Sequence, residues 1–546
     1  MFKSDFFGFW MLGGCSGGGM GFIFHPKVKN LALDAMQNIM LKTKKEMEHS
    51  LPFAMDPVVY DFKINDSGTV ASIFQGKVPS FSEGENSSAF CEGEKIKDLT
   101  QLLEELDFDE VKHENIRKSY SNGQIGLKQN RLSIDTFFSN TNPEDVIIAR
   151  DSITPEIRAL GESELRKGSV GVVSLAAGVG SRWNQGAGCV KALHPFCKFK
   201  GKHRSFLEIH LAKSRRISSK FGKSLPHVIT TSYMTQEPVK KYLNRVKNHG
   251  YSGHIYQSYG TTVGLRLIPT IRDMKFMWEE TNQQILDERA QKVKKSGQQA
   301  LMDWAESCGE ASDYRDNLPL QCIHPVGHYY EIPNMLLNGT LQKMLLDRPQ
   351  LKYLMLHNID TIGADVDPGI LGLFLQRGST LLFEVIPREI DDVGGGLARV
   401  NGKKVQLIEG LALPREEDAF AFTYYNSMTT WIDIDKLLKS IGINRGDLEN
   451  TKIVASALHK FEQRIPTYVT LKEVKKRWGK GQEDIFPTVQ FEKLWSDLSS
   501  LDDIDCEYVA VSRARGSQLK DQAQLDDWVR DGSSIYVEKL CSFDEL

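Results

Sequence analysis

The chain has no paired cysteines. Its 8 cysteines (Cys15, Cys91, Cys189, Cys197, Cys308, Cys322, Cys506 and Cys541) are scattered, with no Cys-x-x-Cys pair and no zinc spacing. That excludes a disulfide scaffold and a zinc finger, and the thiols read as reduced. An excess of one charge is also missing: 68 Lys and Arg against 71 Asp and Glu leave a net charge of -3. No nucleic-acid-binding surface is expected on that balance. Long apolar runs are absent as well. Phe6–Leu12 is interrupted at once by a Gly/Ser tract, and no small-residue cleavage site follows it. The run is too short to span a bilayer, so no membrane partner is expected and the reading is a soluble cytoplasmic protein. No Ser-His-Asp or Cys-His arrangement is found. What remains is 546 residues, enough for a large core and two to four domains.

The stretch that organises the chain is Ser174-Leu175-Ala176-Ala177-Gly178-Val179-Gly180-Ser181-Arg182-Trp183, with Lys191 shortly after. Val170–Leu175 before it is short, apolar and β-branched, as in a strand buried on both faces. The Ala-Ala-Gly-Val-Gly turn lets backbone N–H groups approach a phosphate, Arg182 can fork onto its oxygens, and Lys191 adds a point charge. The turn lacks the third glycine of a dinucleotide fingerprint. Cys189, near Lys191, reads as a small buried apolar residue.

Downstream, strands and helices alternate: helix Phe206–Phe221, strand 227–231, helix 237–247, strand 254–257, and a strand at 351–356. This predicts an α/β fold with a doubly wound, mostly parallel sheet, ligands sitting at the carboxyl ends of its strands. Residues 272–306 read as a helical insertion. The expected divisions are 1–75, a linker and helical preface at 76–168, a core at 169–440 and a C-terminal domain at 441–546. In 1–75, a glycine-rich loop runs into a strand, then a helix from Pro26 to His49 with Leu31, Met36, Ile39, Met40 and Met47 as its apolar stripe, then a strand at 58–64. This order resembles the C-terminal part of galactokinase- and fucokinase-type sugar kinases. The resemblance implies a remnant of a kinase domain and either a sugar-kinase partner or a missing upstream kinase domain.

The glycine loop is similar to the signature of sugar-nucleotide pyrophosphorylases, Leu-x-x-Gly-x-Gly-(Thr/Ser)-Arg with a following Lys. Further elements in order resemble the UDP-glucose pyrophosphorylase family: Pro325–His328, Asn358–Asp367, Glu384-Val385, Asp392-Val393-Gly394-Gly395-Gly396, Leu407-Ile408-Glu409, Asn426 before Trp431, Tyr468–Lys472 and Val511–Arg515. The likeness runs over roughly 120–530. It implies a uridylyltransferase that joins UTP and a sugar 1-phosphate, with Mg2+ as cofactor. Residue by residue it implies that Leu175, Gly178 and Gly180 line the nucleotide. Gln257 reads uracil, and Gly327 and His328 sit beside it. Asp360 meets metal and phosphates, and Arg182, Lys191 and Lys472 face phosphates. Gly395, Glu409 and Asn426 cradle the sugar.

The sequence departs from the family at Val190, where a Pro is usual, at Thr361 after Asp360, at Gly394 for a Lys, and at Met428 and Thr429 for asparagines. Glucose 1-phosphate is the default sugar. An N-acetylhexosamine 1-phosphate is the alternative, suggested by Arg182 and the helical preface. A silent sugar-nucleotide-binding protein is the reading from another class. The reaction itself asks little of side chains: an ionised sugar-phosphate oxygen needs no general base, only positioning and charge neutralisation.

Overall fold

The computed structural model describes residues 4–12, 19–46, 59, 98–184, 190–280, 288–390, 392, 394–479 and 482–543. The expected strand at 58–64 (apart from Val59), the linker before residue 98, the first glycine loop at 13–18 and Cys189 lie outside them. Two compact units emerge: residues 1–95 with 195–204, and residues 96–194 with 205–546.

In the first unit, Phe6–Leu12 and Gly19–Phe24 pair as an antiparallel hairpin, followed by the helix Lys29–Glu46. That helix starts and ends close to the sequence expectation, and Pro26 opens the preceding turn with no donor to waste. Its expected apolar stripe is not buried among the described residues: Leu31 is 66% and Ile39 57% exposed.

The second unit is built on an eight-stranded sheet. Its strands, in chain order, are β1 Ile147–Ile148, β2 Val170–Leu175, β3 His227–Thr231, β4 Ile255–Tyr259, β5 Tyr353–Asn358, β6 Leu381–Pro387, β7 Tyr424–Asp433 and β8 Cys506–Ala510. They lie in the order β1-β8-β6-β7-β5-β2-β3-β4, and every pair is parallel except the two made by β7. The mostly parallel, doubly wound reading therefore describes this sheet. β8 comes from the 441–546 segment and β1 from the preface, so both segments share the core of the central sheet.

Period-2 alternation sends each strand's apolar residues to two cores. Val173, Leu175, Leu354, Leu356 and Phe383 join one cluster, and Val170, Val172, Met355, Leu382 and Trp431 the other. On the second face lie the helices α1 Pro155–Lys167, α2 Phe206–Phe221 and, later in the chain, α4 Pro368–Arg377. On the first lies α3 Glu331–Leu337. Thr154 caps α1 through Ile157 N–H, and Gly168 ends it in the left-handed region (φ 73°), where a side chain would be strained. Residues 271–280 and 288–308 are helical, as expected of the insertion.

Candidate active site

The carboxyl ends of β2, β3 and β5 open on one cavity of about 400 Å³. Leu175, Gly178, Gly180, Arg182, Lys191, Gly327, His328 and Asp360 all line it, so eight of the thirteen residues singled out from sequence converge there. A larger neighbouring cavity, of about 680 Å³, has none of the thirteen in its wall.

The glycine loop is shaped by Lys191. Gly180 has φ 73°, and a Cβ there would lie 2.5 Å from the Lys191 Cβ. A Cβ on Gly178 would meet nothing among the described residues within 4 Å, so at that residue the loop presents bare backbone to the cavity. Lys191 is almost fully buried. Its Nζ donates to Asp360 Oδ2 at 2.9 Å and to the Leu519 carbonyl. It also lies over the Trp183 and Phe206 rings, at 5.1 and 5.4 Å. Burial pulls its pKa down, against the opposing pull of Asp360.

Asp360 has one oxygen on Lys191, while Oδ1 is buried without a hydrogen-bond partner among the described residues. No cluster of three or more His, Cys, Asp or Glu able to hold a metal exists among the described residues. A lone carboxylate with one unclaimed oxygen fits Mg2+, which takes one or two carboxylates and completes its shell with substrate phosphates and water. The role of helix cap belongs to Asp367, which accepts from Gly369 and Ile370 N–H at the start of α4. His328 Nδ1 accepts from Trp495 N–H at 2.9 Å. Burial holds this imidazole down to about 4, so it is neutral with Nε2 as its donor.

One residue behind the cavity-lining Leu175 and Asn358, at Ser174 and His357, runs a buried proton-ordered chain. The Asn358 carbonyl can only accept, so His357 Nδ1, at 2.9 Å, carries a proton and His357 Nε2 accepts from Ser174 Oγ. Ser174, its one proton given, accepts from His227 Nε2 at 2.8 Å, and His227 Nδ1 accepts from Ser214. Beside it His210 donates to the Ile359 carbonyl at 2.9 Å, and Lys213 to those of Ile362 and Ala364. These groups clamp the loop that carries Asp360. Two other motif residues brace rather than line the site: Arg515 makes a bidentate pair with Glu384 at 2.7 Å, and Glu384 also accepts from Trp431 Nε1.

The five remaining residues lie outside the cavity wall. Gln257 is half-buried on the edge strand β4. Lys472 is exposed on the hairpin 468–492, opposite Thr488, and its charge acts on Glu492, which does line the cavity. Gly395 packs on backbone, because a Cβ there would lie 1.5 Å from the Ile408 carbonyl. Glu409 accepts from Ser496, and burial raises its pKa. Asn426 Oδ1 accepts from Met428 N–H at 2.9 Å, beside a β-bulge. Sequence reasoning missed Lys520, which lines the cavity and donates to the Tyr425 hydroxyl at 2.8 Å. No motif marks it; it is placed by Leu519, whose N–H donates to the Asp360 carbonyl at 3.0 Å.

Residues 311–467 match the family model for UTP–glucose-1-phosphate uridylyltransferase. The potato enzyme of that name is 20% identical over 361 residues, and the chain spans 64% of its length. The solved structure described as UDP-glucose phosphorylase from Trypanosoma brucei shares the fold at 18% identity, with a TM-score of 0.50 over 77% of this chain and 76% of that one. A Leishmania major UDP-glucose pyrophosphorylase variant, solved with UDP-glucose, gives 15% identity, a TM-score of 0.50 and coverage of 77% and 76%. No helix among the described residues is long and apolar enough to cross a membrane. The chain is thus similar to UTP–glucose-1-phosphate uridylyltransferases over residues 311–467 and shares its fold with solved UDP-glucose pyrophosphorylase structures.

Proposed function

We propose that the chain transfers a uridylyl group from UTP to a sugar 1-phosphate, releasing pyrophosphate, with glucose 1-phosphate as the first sugar to test. The observation that carries this reading is the convergence of Gly178–Gly180, Lys191, Asp360 and Gly327–His328 on one crevice at the carboxyl ends of the strands. The sugar-phosphate oxygen attacks the α-phosphate in line and pyrophosphate leaves, so the protein's task is to position and to neutralise. Arg182 and Lys520 supply positive charge at the cavity, and Lys191 holds Asp360 in place. Bound Mg2+, held by Asp360 Oδ1, would neutralise phosphate charge. The sugar choice is open at Asn426, whose amide oxygen is taken by Met428.

The test is pyrophosphate release from UTP and the other nucleoside triphosphates against a panel of sugar 1-phosphates. UTP with a hexose 1-phosphate is the expected pair, and a panel without turnover would leave a binding role. The kinase-like reading of 1–75 predicts that the chain does not phosphorylate free hexoses from ATP. Transfer of labelled γ-phosphate to galactose or fucose by the purified chain would contradict it.

A further inference from the structure

Gln257, expected to read uracil, does not line the crevice, but an acidic side chain does. Glu331 is the first residue of α3 and follows directly on Gly327–His328. Thr230, near the end of β3, acts on the Glu331 carboxyl through its hydroxyl, which lowers the carboxyl's pKa against the larger raising effect of burial. The Thr230 oxygen in turn accepts from Ala176 N–H at 3.3 Å. The carboxyl is thus bracketed by the two segments that hold the nucleotide in the reading above, the start of the glycine loop and the Gly327–His328 turn. Among the described residues no ion pair reaches it.

We infer that Glu331 is the base-reading side chain of this nucleotide site, pairing as a carboxylic acid with the imide edge of uracil. The inference rests on the uridylyltransferase reading. The imide edge presents an N–H between two carbonyls. A carboxylic acid offers one donor and one acceptor side by side, which match the N–H and one carbonyl. A carboxylate offers acceptors only, and one of them would face a carbonyl oxygen. Burial holds Glu331 up to about 7, so the acid form is available near neutral pH.

The surrounding titratable groups have other settings. His328 and Tyr330 share its turn, Tyr256 and Tyr259 stand on β4, and Tyr233 follows β3. Lys520 and Glu492 line the cavity with it. Lys343 and Asp347 lie on the helix after α3, and Glu462, on the other packed helix, is paired with Lys112 at 2.7 Å. Burial keeps His328 neutral and raises Tyr256 to about 12.

The experiment is KM for UTP, with UTP binding by calorimetry, from about pH 6 to about pH 9 on the wild type, Glu331→Gln and Glu331→Ala. The wild-type KM should rise by up to about tenfold per pH unit above neutrality as the donor is lost. Glu331→Gln keeps a donor and an acceptor at every pH, so it should hold the low-pH KM throughout. Glu331→Ala should raise KM at all pH values and change kcat less. The titration of UTP's own phosphates is common to all three proteins and cancels in the ratios. A Glu331→Gln profile that follows the wild type would overturn the inference and leave the uridylyltransferase reading intact. A preference for GTP, whose guanine offers two adjacent donors to a carboxylate, would overturn the inference and the uridylyltransferase reading together. A chain that binds no UTP and releases no pyrophosphate from any nucleotide would overturn both.

Discussion

Replacing Asp360 by Asn is expected to cut pyrophosphate release about 10²–10³-fold, the scale of losing one electrostatic contact in a transition state. It is also expected to lower the melting temperature. The amide keeps the shape but loses the charge that Lys191 Nζ meets at 2.9 Å. Lys191 is 4% exposed, and leaving a buried charge without its partner costs about 3–5 kcal/mol. The effects on activity and on stability separate in the double variant Lys191→Met/Asp360→Asn. With no buried ammonium left, stability should recover towards the wild type, whereas turnover should not. Melting curves and Mg2+-dependent pyrophosphate release on the same preparations read both. Unchanged turnover in folded Asp360→Asn protein would remove this residue from the site.

Acid is expected to unfold the protein well before its carboxylates protonate. His210, His227 and His357 are buried and neutral: desolvation first, then the nearby Lys213 charge, holds His227 down to about 3 and the other two well below their ordinary value. In the unfolded chain each titrates near the ordinary histidine value of 6.5. Below that pH the unfolded state therefore binds more protons than the folded state, and stability falls as pH falls. Each histidine removes up to about 1.4 kcal/mol per pH unit. Three together take about 6 kcal/mol by about pH 5, comparable to the whole stability of many domains. Urea midpoints measured from about pH 8 down to about pH 5 check this. A midpoint that stays level across the lower half of that range would contradict the neutral network. Protonation also breaks the donor order through Ser174, so activity should fade with stability at the acid end.

Much of the fold was legible because it depends on local pattern. The helix Phe206–Phe221 and the strand His227–Thr231 are bounded as expected, since period-3.6 and period-2 apolar spacing report burial along a single element. The glycine loop, the Gly327–His328 turn and Asp360 were legible for a related reason: each lies at or just after a strand end, and parallel connections bring such ends to one edge.

Other assignments failed to reach the cavity because sequence order carries no distances. Gln257 sits on the edge strand, Asn426 turns back on Met428, and Gly395 serves backbone packing. The sequence by itself determined the alternation of strand and helix, the mostly parallel sheet and the edge on which the candidate site opens, because backbone sterics and apolar periodicity act over a few residues. Only the tertiary structure decided that Lys191 is spent on Asp360, that Lys520 and Glu331 line the same crevice, and that four buried polar side chains order their protons in one chain. Those outcomes depend on which side chains, distant in the chain, lose their water together, and that is fixed by packing rather than by spacing.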